Sequence, residues 1–306
     1  MSSPLPRAVA DAAGARSGIV IALGAHALWG FLPLYFLSLS PTGPIEIVAA
    51  RILFSLVFCA ALTAIGRRWR PLLVIVRQPR LVWMLGLAAA LIFVNWQVYV
   101  YASVTGHIIE ASLGYFMNPI VTILLGVIVL RERLHPVQWV AVAISVIAVI
   151  VLAIDYGSVP WISLTLAFSF GLYGFVKNRV GPTVDALSGL TIETAWLVPV
   201  AIVELIIVSA HGGLTIGNIS PLHTLGLIGT GVVTAVPLLL FASAARRLPL
   251  AYLGFIQYLT PILQFLIGAF ILHESLTSVR WFGFGLVWVS LAILSGYLIA
   301  RLRHTR

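Results

Sequence analysis

The chain has 306 residues, of which 61% are apolar and 9% are charged, and its formal net charge is +9. Soluble domains have about 45–50% apolar and about 25% charged residues, so this composition excludes an ordinary soluble protein. The basic residues stand beside long apolar runs, where membrane topology explains them better than binding to nucleic acid. The single cysteine, Cys59, cannot form an internal disulfide, and no Cys/His cluster has zinc-ligand spacing, so no metal or other cofactor is predicted.

Ten apolar runs follow one another along the chain, and each is long enough to cross a bilayer as a helix. The first run exceeds the length of a cleaved signal core, so it is predicted to be a transmembrane helix. Lipid offers no partner to free backbone amides, which favours helices in all of these runs. The spans of this predicted all-α integral membrane protein are 17–39, 46–65, 81–103, 109–130, 137–154, 158–178, 184–209, 221–245, 250–272 and 279–300.

The basic residues alternate between successive loops. If the N-terminus is inside, every basic residue except Arg51 and Arg280 belongs to a cytoplasmic segment. Arg51 lies within the second span, and Arg280 lies in an outer loop. Because Lys and Arg are retained on the cytoplasmic side, this alternation predicts ten crossings of the inner (plasma) membrane with both termini in the cytoplasm.

The second half of the chain repeats the first. Residues 119–139 align without gaps to residues 261–281, at an offset of 142, and nine of the 21 aligned positions are identical. Five spans in each half, an odd number, invert the second half relative to the first. The sequence therefore predicts two inverted repeats, residues 17–154 and 158–300, which is a transporter architecture with the substrate path between the repeats.

Motifs spread over nearly the whole chain resemble those of a known family. They are WGFLPLYF (29–36), ARILFSLVF (50–58), NWQVYVYA (95–102), EASLGYFMNPI (110–120), SFGLYGFVKN (169–178) and two L-x-E-x-L copies (130–134 and 272–276). The chain resembles the drug/metabolite transporter (DMT) superfamily in its paired EamA-type form with ten helices. Within it, the sequence looks most like the RarD group, and amino-acid exporters of the YddG type are the next comparison. The resemblance implies an exporter of small metabolites and does not identify the substrate.

Arg51 is the most unusual residue of the chain. A charged side chain deep in a span costs about 2.5–3.5 kcal/mol on insertion scales, so it calls for a function or a partner. One explanation is an anchor for the carboxylate of a substrate. The other is an ion pair with a carboxylate near the outer end of a neighbouring helix, for which the candidates are Glu46, Glu110 and Glu204.

Glu193 occupies the position of Arg51 in the second repeat. The two residues lie about six residues from opposite membrane faces, and a core of about 30 Å leaves a gap of roughly 10 Å between them, which disfavours a direct pair. The alternatives are an ion pair with Lys177, or a role as a proton carrier. Proton exchange and facilitated diffusion are both compatible with the sequence.

Polar and aromatic side chains inside the spans are candidates for the lining of a central cavity. Asn95 and Tyr99 share one helix face, and Gln257 and Gln264 recur on another. Such groups need partners, which either a neighbouring helix or a polar solute can supply. The predicted substrate-binding residues are Trp29, Arg51, Asn95, Tyr99, Tyr115, Asn118, Tyr173, Glu193, Gln257 and Tyr258.

The repeated L-x-E-x-L motif places Glu132 and Glu274 at the ends of two helices. Negative charge at a helix C-terminus opposes the macrodipole, so each glutamate is expected to have a local partner. For Glu132 we expect an ion pair with Arg131 or Arg133, and for either glutamate a cap on the start of the next helix. The alternative is a role in gating.

The sequence favours a transporter over a membrane enzyme or a channel. Zinc-protease, serine-hydrolase and phosphate-loop motifs are missing, and no enzyme activity is predicted. The predicted function is export of small amphipathic metabolites, foremost amino acids including aromatic ones, by alternating access. Export of chloramphenicol-like drugs or other metabolites, and an integral membrane enzyme, are the alternatives. The expected partners are the small-molecule substrate and membrane lipids, with no nucleic acid, and a monomer is compatible with the sequence.

Overall fold

A computed structural model describes residues 5–131, 135–180, 183–245, 247–248 and 256–304. This described part is helical and contains no strand. Its helices are α1 (Leu5–Leu37), α2 (Pro44–Ile65), α3 (Trp69–Val76), α4 (Pro79–Val104), α5 (Ile108–Leu130), α6 (Pro136–Tyr156), α7 (Trp161–Val180), α8 (Ala186–Ala210), α9 (Pro221–Ala245), α10 (Leu259–Leu266) and α11 (Ser278–His304). A π-helical segment, Ile267–Ile271, continues α10.

Ten of these helices correspond to the ten predicted spans. Among the described residues, 8 helices are long and apolar enough to cross a membrane: α1, α2, α4, α5, α6, α8, α9 and α11. Helix α7 has 20 residues and carries Lys177 and Arg179 in its last turn, which lowers its mean hydropathy. The apolar helix Leu259–Ile271 is the tenth, and the residues just before 256 lie outside the described part. The prediction of an all-α membrane protein with ten helices is confirmed.

The short helix α3 is not predicted by the sequence. It has 8 residues and lies between the basic residues Arg68 and Arg77. Ile75 is buried against α4, whereas Trp69 and Leu73 are exposed. Exposed apolar residues flanked by arginines suit the headgroup level of a membrane, where aromatic and basic side chains are enriched. Hydropathy alone passed over this helix because it is too short to span.

The two halves of the chain are interleaved in a symmetric pattern. The repeat offset makes α1 equivalent to α7, α4 equivalent to α9, and α5 equivalent to α10. Helix α1 packs against α9 and α10, and α7 packs in the same way against α4 and α5. Two further pairs, α2 with α8 and α6 with α11, join equivalent helices to each other. This pseudo-twofold pattern is that of two inverted five-helix repeats.

The backbone at the repeated motif shows the same equivalence. Arg131 and His273 are related by the offset of 142 and have φ of 55° and 53°. Positive φ is uncommon for residues other than glycine, and helices often end on one residue in this left-handed conformation. The two motif copies therefore end their helices in the same way. Glu132 lies outside the described residues.

The ten crossings define two ends of the bundle. We call the end where α1 begins and α11 ends the terminal face, and the end where α1 meets α2 the opposite face. One core cluster, which includes Phe36, Ile52 and Trp96, joins α1, α2 and α4. A second, which includes Phe116 and Phe284, joins α5 to α11. The predicted site residues are concentrated around the first cluster.

Candidate functional site

Arg51 lies on α2 and is buried against α9, with 4% of the residue exposed. Its Nε donates a hydrogen bond of 2.7 Å to Thr234 Oγ1. The guanidinium carbon lies 4.2 Å from the ring centroid of Trp96 and 5.7 Å from that of Phe36, which is within the range of cation–π attraction. Its Nη1 has no hydrogen-bond partner among the described residues. Arg51 therefore holds one free donor in an aromatic surrounding.

The ion pairs expected as alternatives for Arg51 are not formed. In the described part of the chain the ion pairs are Lys177–Glu193 and Arg280–Asp155. Glu46 binds backbone amides at the opposite face, and Glu204 accepts a hydrogen bond from Gln97. None of the carboxylates named from the sequence balances the positive charge of Arg51.

Glu193 forms an ion pair with Lys177, which is one of the two roles considered from the sequence. Lys177 Nζ lies 2.6 Å from Glu193 Oε1, and the Tyr173 hydroxyl donates to Glu193 Oε2 at 3.1 Å. Glu193 is 2% exposed and Lys177 is 29% exposed, so the lysine can reach toward the terminal face. Glu193 and Arg51 make no direct contact. The second repeat thus neutralises its buried charge internally, whereas the first repeat leaves Arg51 unneutralised.

A network of hydrogen bonds surrounds Asn95 at the centre of α4. Asn95 Oδ1 accepts from the Tyr115 hydroxyl at 3.0 Å. Its Nδ2 donates to Ser169 Oγ at 3.2 Å and to the Leu166 carbonyl at 3.3 Å. The amide is therefore fully engaged between α5 and α7. In this conformation Asn95 positions Tyr115 and has little capacity left for a solute.

A second network joins α1, α4 and α10. Gln264 Nε2 donates to the Tyr99 hydroxyl at 2.8 Å and to the Trp29 carbonyl at 3.4 Å. The Tyr99 hydroxyl also lies 3.4 Å from the Trp29 carbonyl. Gln264 Oε1 is buried and has no partner among the described residues. The network thus contains a free acceptor, as Arg51 contains a free donor.

A row of aromatic rings connects these groups across the bundle. The ring centroids of Phe36 and Tyr99 are 6.1 Å apart, and those of Tyr99 and Tyr115 are 5.6 Å apart. Phe170 continues the row at 5.8 Å from Tyr115, and Tyr173 lies 6.0 Å beyond it. The row starts below the Arg51 guanidinium and ends at the ion pair of Glu193. Edge-to-face contacts of this kind give the region a fixed apolar wall.

Some inward-facing side chains keep accessible surface although they lie in the middle of their helices. Trp29, Tyr115 and Tyr173 are half-buried. Trp29 and Tyr115 make ring contacts with Phe241 and Tyr99 of neighbouring helices, and Tyr173 donates a hydrogen bond to Glu193 of α8. Asn118 is also half-buried and lies near Gly171 of α7. Its Oδ1 has no partner in the described part of the chain.

Gln257 and Tyr258 stand apart from this assembly. Both are half-buried, and neither side chain makes a hydrogen bond within the described residues. Tyr258 packs against the second core cluster rather than against the first. The predicted shared helix face of Gln257 and Gln264 is not formed, because Gln257 lies in the turn before α10, and Gln264 alone of the two enters the central network. The sequence did not distinguish Gln257 from Gln264, because residues seven positions apart are expected on the same face of a continuous helix.

Carboxylates join the two halves at the opposite face. Glu46 accepts hydrogen bonds from the amides of Thr215 and Ile216 at 2.8–3.0 Å. Glu274 accepts from the amides of Ile108 and Ile109 at 2.7 and 2.9 Å. The expectation that Glu274 caps the start of the next helix is thus corrected: it caps α5, in the other repeat. The free amides of a helix N-terminus and its positive dipole end favour this arrangement.

At the terminal face a cleft of about 490 Å³ lies between the ends of α2, α8 and α9. Basic, acidic and hydroxyl side chains line it beside apolar ones, and among them are Arg68, Asp185, Ser243 and Arg247. A cleft of about 530 Å³ also lies at the opposite face, where Gly217, Asn218 and Thr224 are among the residues that line it. The halves are joined through backbone amides at the opposite face, and a cleft opens between helices at the terminal face.

Comparisons with known proteins agree with this architecture. The model of the EamA-like transporter family matches residues 16–154 and 159–296. A protein RarD of Streptomyces exfoliatus is 43% identical over 95% of this chain and 92% of its own length. Protein RarD of Escherichia coli is 40% identical over 92% of this chain and 95% of its own. A chloramphenicol-sensitive protein RarD of Pseudomonas aeruginosa is 29% identical over 93% and 95%.

A solved crystal structure shares the fold at a TM-score of 0.59 and 18% identity, covering 92% of this chain and 98% of that one. At this identity the likeness concerns the fold alone. The family match covers both repeats, and relatives near 40% identity extend over almost the whole chain. The chain belongs to the EamA-like transporter family of the drug/metabolite transporter superfamily, with close homologues named RarD.

Proposed function

We propose that this protein exports small amphipathic metabolites that carry a carboxylate, foremost amino acids including aromatic ones, by alternating access between its two repeats. The observation that carries the proposal is the free Nη1 of Arg51, buried beside Trp96 and Phe36. A guanidinium is the side chain best suited to bind a planar carboxylate. The aromatic row beside it suits the apolar part of such a solute.

The cost of burying Arg51 supports this assignment. An unpaired cation inside a membrane protein is expensive, and the described surroundings offer it only one hydroxyl and two ring faces. An anionic group of the substrate supplies the missing partner during each transport cycle. Glu193 and Tyr173, at the other end of the aromatic row, are proposed to contact the substrate as it moves toward the terminal face.

The orientation of the protein in the membrane is proposed from the charges of its loops. Because basic residues are retained in the cytoplasm, we place the terminal face on the cytoplasmic side of the inner membrane. The cleft between α2, α8 and α9 then opens to the cytoplasm, and the carboxylate contacts of Glu46 and Glu274 close the outer side.

Export of chloramphenicol-like drugs is a second candidate, because the name of the Pseudomonas aeruginosa relative connects that protein with chloramphenicol sensitivity. Such a drug has an aromatic ring that suits the central row but no ionised carboxylate to use Arg51. We therefore rank it below carboxylate-bearing metabolites. The same transport assay distinguishes the two candidates, because a neutral drug does not require the guanidinium.

Purified protein in proteoliposomes loaded with labelled phenylalanine provides the test. We expect efflux of chemically unchanged phenylalanine, and a loss of at least about tenfold with Arg51→Ala, because a hydrogen bond to a charged group contributes about 1.5–3 kcal/mol. Arg51→Lys keeps the charge but loses the planar bidentate donor geometry. Its rate of efflux is therefore expected to lie between those of the wild type and Arg51→Ala.

Arg70→Ala serves as the matched control, since Arg70 is exposed at the terminal face and far from the aromatic row. It is expected to transport as the wild type does. Absence of transport for any amino acid or small aromatic carboxylate contradicts the proposal, and so does full activity of Arg51→Ala. Recovery of a modified product points instead to a membrane enzyme.

A further inference from the structure

Gln264 of α10 is almost completely buried, with 1% of its surface exposed. Its Nε2 is engaged by the Tyr99 hydroxyl and by the Trp29 carbonyl. A carbonyl oxygen only accepts hydrogen bonds, so the Trp29 carbonyl orients the amide with Nε2 toward it and Oε1 away. Gln264 Oε1 is left without a donor among the described residues.

An acceptor of this kind is uncommon in a folded interior. Buried polar atoms are nearly always hydrogen-bonded, and an unfilled one needs a reason such as a solute. Gln264 is moreover held rigidly, because α10 and α1 also share the hydrogen bond between Thr260 and the His26 carbonyl at 3.0 Å. The free oxygen is thus presented in a fixed position and is costly to leave empty.

The free acceptor and the free donor are connected by two rings. Tyr99, which accepts from Gln264, packs its ring against Phe36 at 6.1 Å. Phe36 lies below the Arg51 guanidinium at 5.7 Å. A solute that satisfies both ends needs a group that accepts from a cation and another that donates to a neutral amide oxygen. A carboxylate and an ammonium on one small molecule meet this requirement.

We propose that Gln264 Oε1 accepts a hydrogen bond from the ammonium group of the substrate while Arg51 Nη1 donates to its carboxylate. The protein then selects zwitterionic α-amino acids over acids that lack the amino group. This inference rests on the proposed function and adds to it a specificity-determining residue.

Equilibrium binding to the purified protein, measured by calorimetry, tests the inference with two ligands. Phenylalanine carries both charged groups, and 3-phenylpropionate has the same ring and carboxylate without the ammonium. We expect the wild type to bind phenylalanine at least about tenfold more tightly. Gln264→Met keeps the length of the side chain and removes its oxygen. This variant is expected to bind the two ligands with equal affinity, because only its affinity for phenylalanine falls.

Two further variants separate recognition from structure. Gln264→Glu keeps the acceptor oxygens and is expected to retain the preference for phenylalanine. Thr122→Val alters the repeat-equivalent position, which is exposed on α5, and is expected to leave both affinities unchanged. A purely structural role of Gln264 predicts instead that Gln264→Met weakens both ligands equally.

Equal loss of both ligands in Gln264→Met overturns the inference, as does equal binding of both ligands by the wild type. In either case binding that still depends on Arg51 leaves the proposed function standing. If the wild type binds neither ligand and transports no amino acid, the proposed function fails together with the inference. These results are distinguishable because 3-phenylpropionate requires Arg51 but not Gln264.

Discussion

The two repeats treat equivalent buried charges differently. At one position of the repeat, Glu193 is neutralised by Lys177 and by the Tyr173 hydroxyl. At the equivalent position, Arg51 has a hydroxyl, two ring faces and an unfilled donor. An inverted repeat makes the two halves similar in backbone, and side chains then break the symmetry.

The Lys177–Glu193 pair predicts unequal effects of removing either partner. Lys177→Met leaves a carboxylate that is 2% exposed without its cation, whereas Glu193→Gln leaves a lysine that is 29% exposed and can reach water. Breaking a buried pair costs about 3–5 kcal/mol, so Lys177→Met is expected to approach that loss. Glu193→Gln is expected to cost less, because its lysine can extend toward the face.

Thermal unfolding of the purified variants in one detergent measures these losses. The double variant Lys177→Met/Glu193→Gln is the control, and it is expected to recover part of the loss of Lys177→Met because no buried charge is stranded. Equal melting temperatures for the two single variants contradict the prediction, since the two side chains then have equivalent surroundings.

At the scale of the helices, the opposite face is held by carboxylates that bind backbone amides of the other repeat. Glu46 begins α2 and binds the segment between α8 and α9. Glu274 follows α10 and binds the first amides of α5. The N-terminus of a helix favours bound anions, and at the N-terminus of α5 the anion is the carboxylate of Glu274. Opening at this face requires that these contacts break.

Glu274→Gln is therefore expected to favour opening at the opposite face. A neutral amide accepts weaker hydrogen bonds than a carboxylate and interacts less with the helix dipole. The reporter is Ser112→Cys in a Cys59→Ser background, because Ser112 is fully buried on α5 near this face. We expect a several-fold increase in its rate of labelling by a polar maleimide.

Thr105→Ala is the matched control for this measurement. Thr105 lies at the same face, and its hydroxyl donates to the Tyr101 carbonyl within its own helix. This hydrogen bond does not connect the two repeats, so the labelling rate of Ser112→Cys is expected to remain unchanged in Thr105→Ala. An unchanged rate in Glu274→Gln shows that this carboxylate does not restrain the opposite face.

At the scale of the whole molecule, neither half buries its own helices. Helix α1 packs against α9 and α10, and α2 packs against α8 and α9, so the first two spans find their main partners in the second half. Helix α7 likewise packs against α4 and α5. The described part of the chain thus forms one interleaved bundle rather than two separate units.

Splitting the chain tests this interdependence. The break is placed after Gly157, which ends α6 in a left-handed turn at an exposed position. Fragments 1–157 and 158–306 are expected to accumulate poorly when each is expressed alone. When they are expressed together, affinity purification of one is expected to recover the other. A first fragment that is stable and monodisperse by itself contradicts this expectation.

Much of the architecture can be predicted from the sequence. Apolar length determines the spans, because every backbone amide in lipid must be satisfied within its own helix. The offset of 142 reveals the repeat, and the structure repeats even the left-handed residues Arg131 and His273. The isolation of a charge in a span also identifies Arg51 as exceptional. These are local properties, and a helix in lipid forms whether or not its neighbours are known.

Partners of side chains were decided only by the tertiary structure. Glu274 binds amides that lie 165 and 166 residues away in the chain, and Gln264 binds Tyr99 across 165 residues. Gln257 and Gln264 look alike in sequence, and only packing against α1 and α4 distinguishes them. Contacts between helices depend on rotation and depth, which apolar runs do not encode because lipid-facing and helix-facing positions are both apolar. The spans thus follow from the sequence, and the free donor and acceptor at the centre follow from the packing.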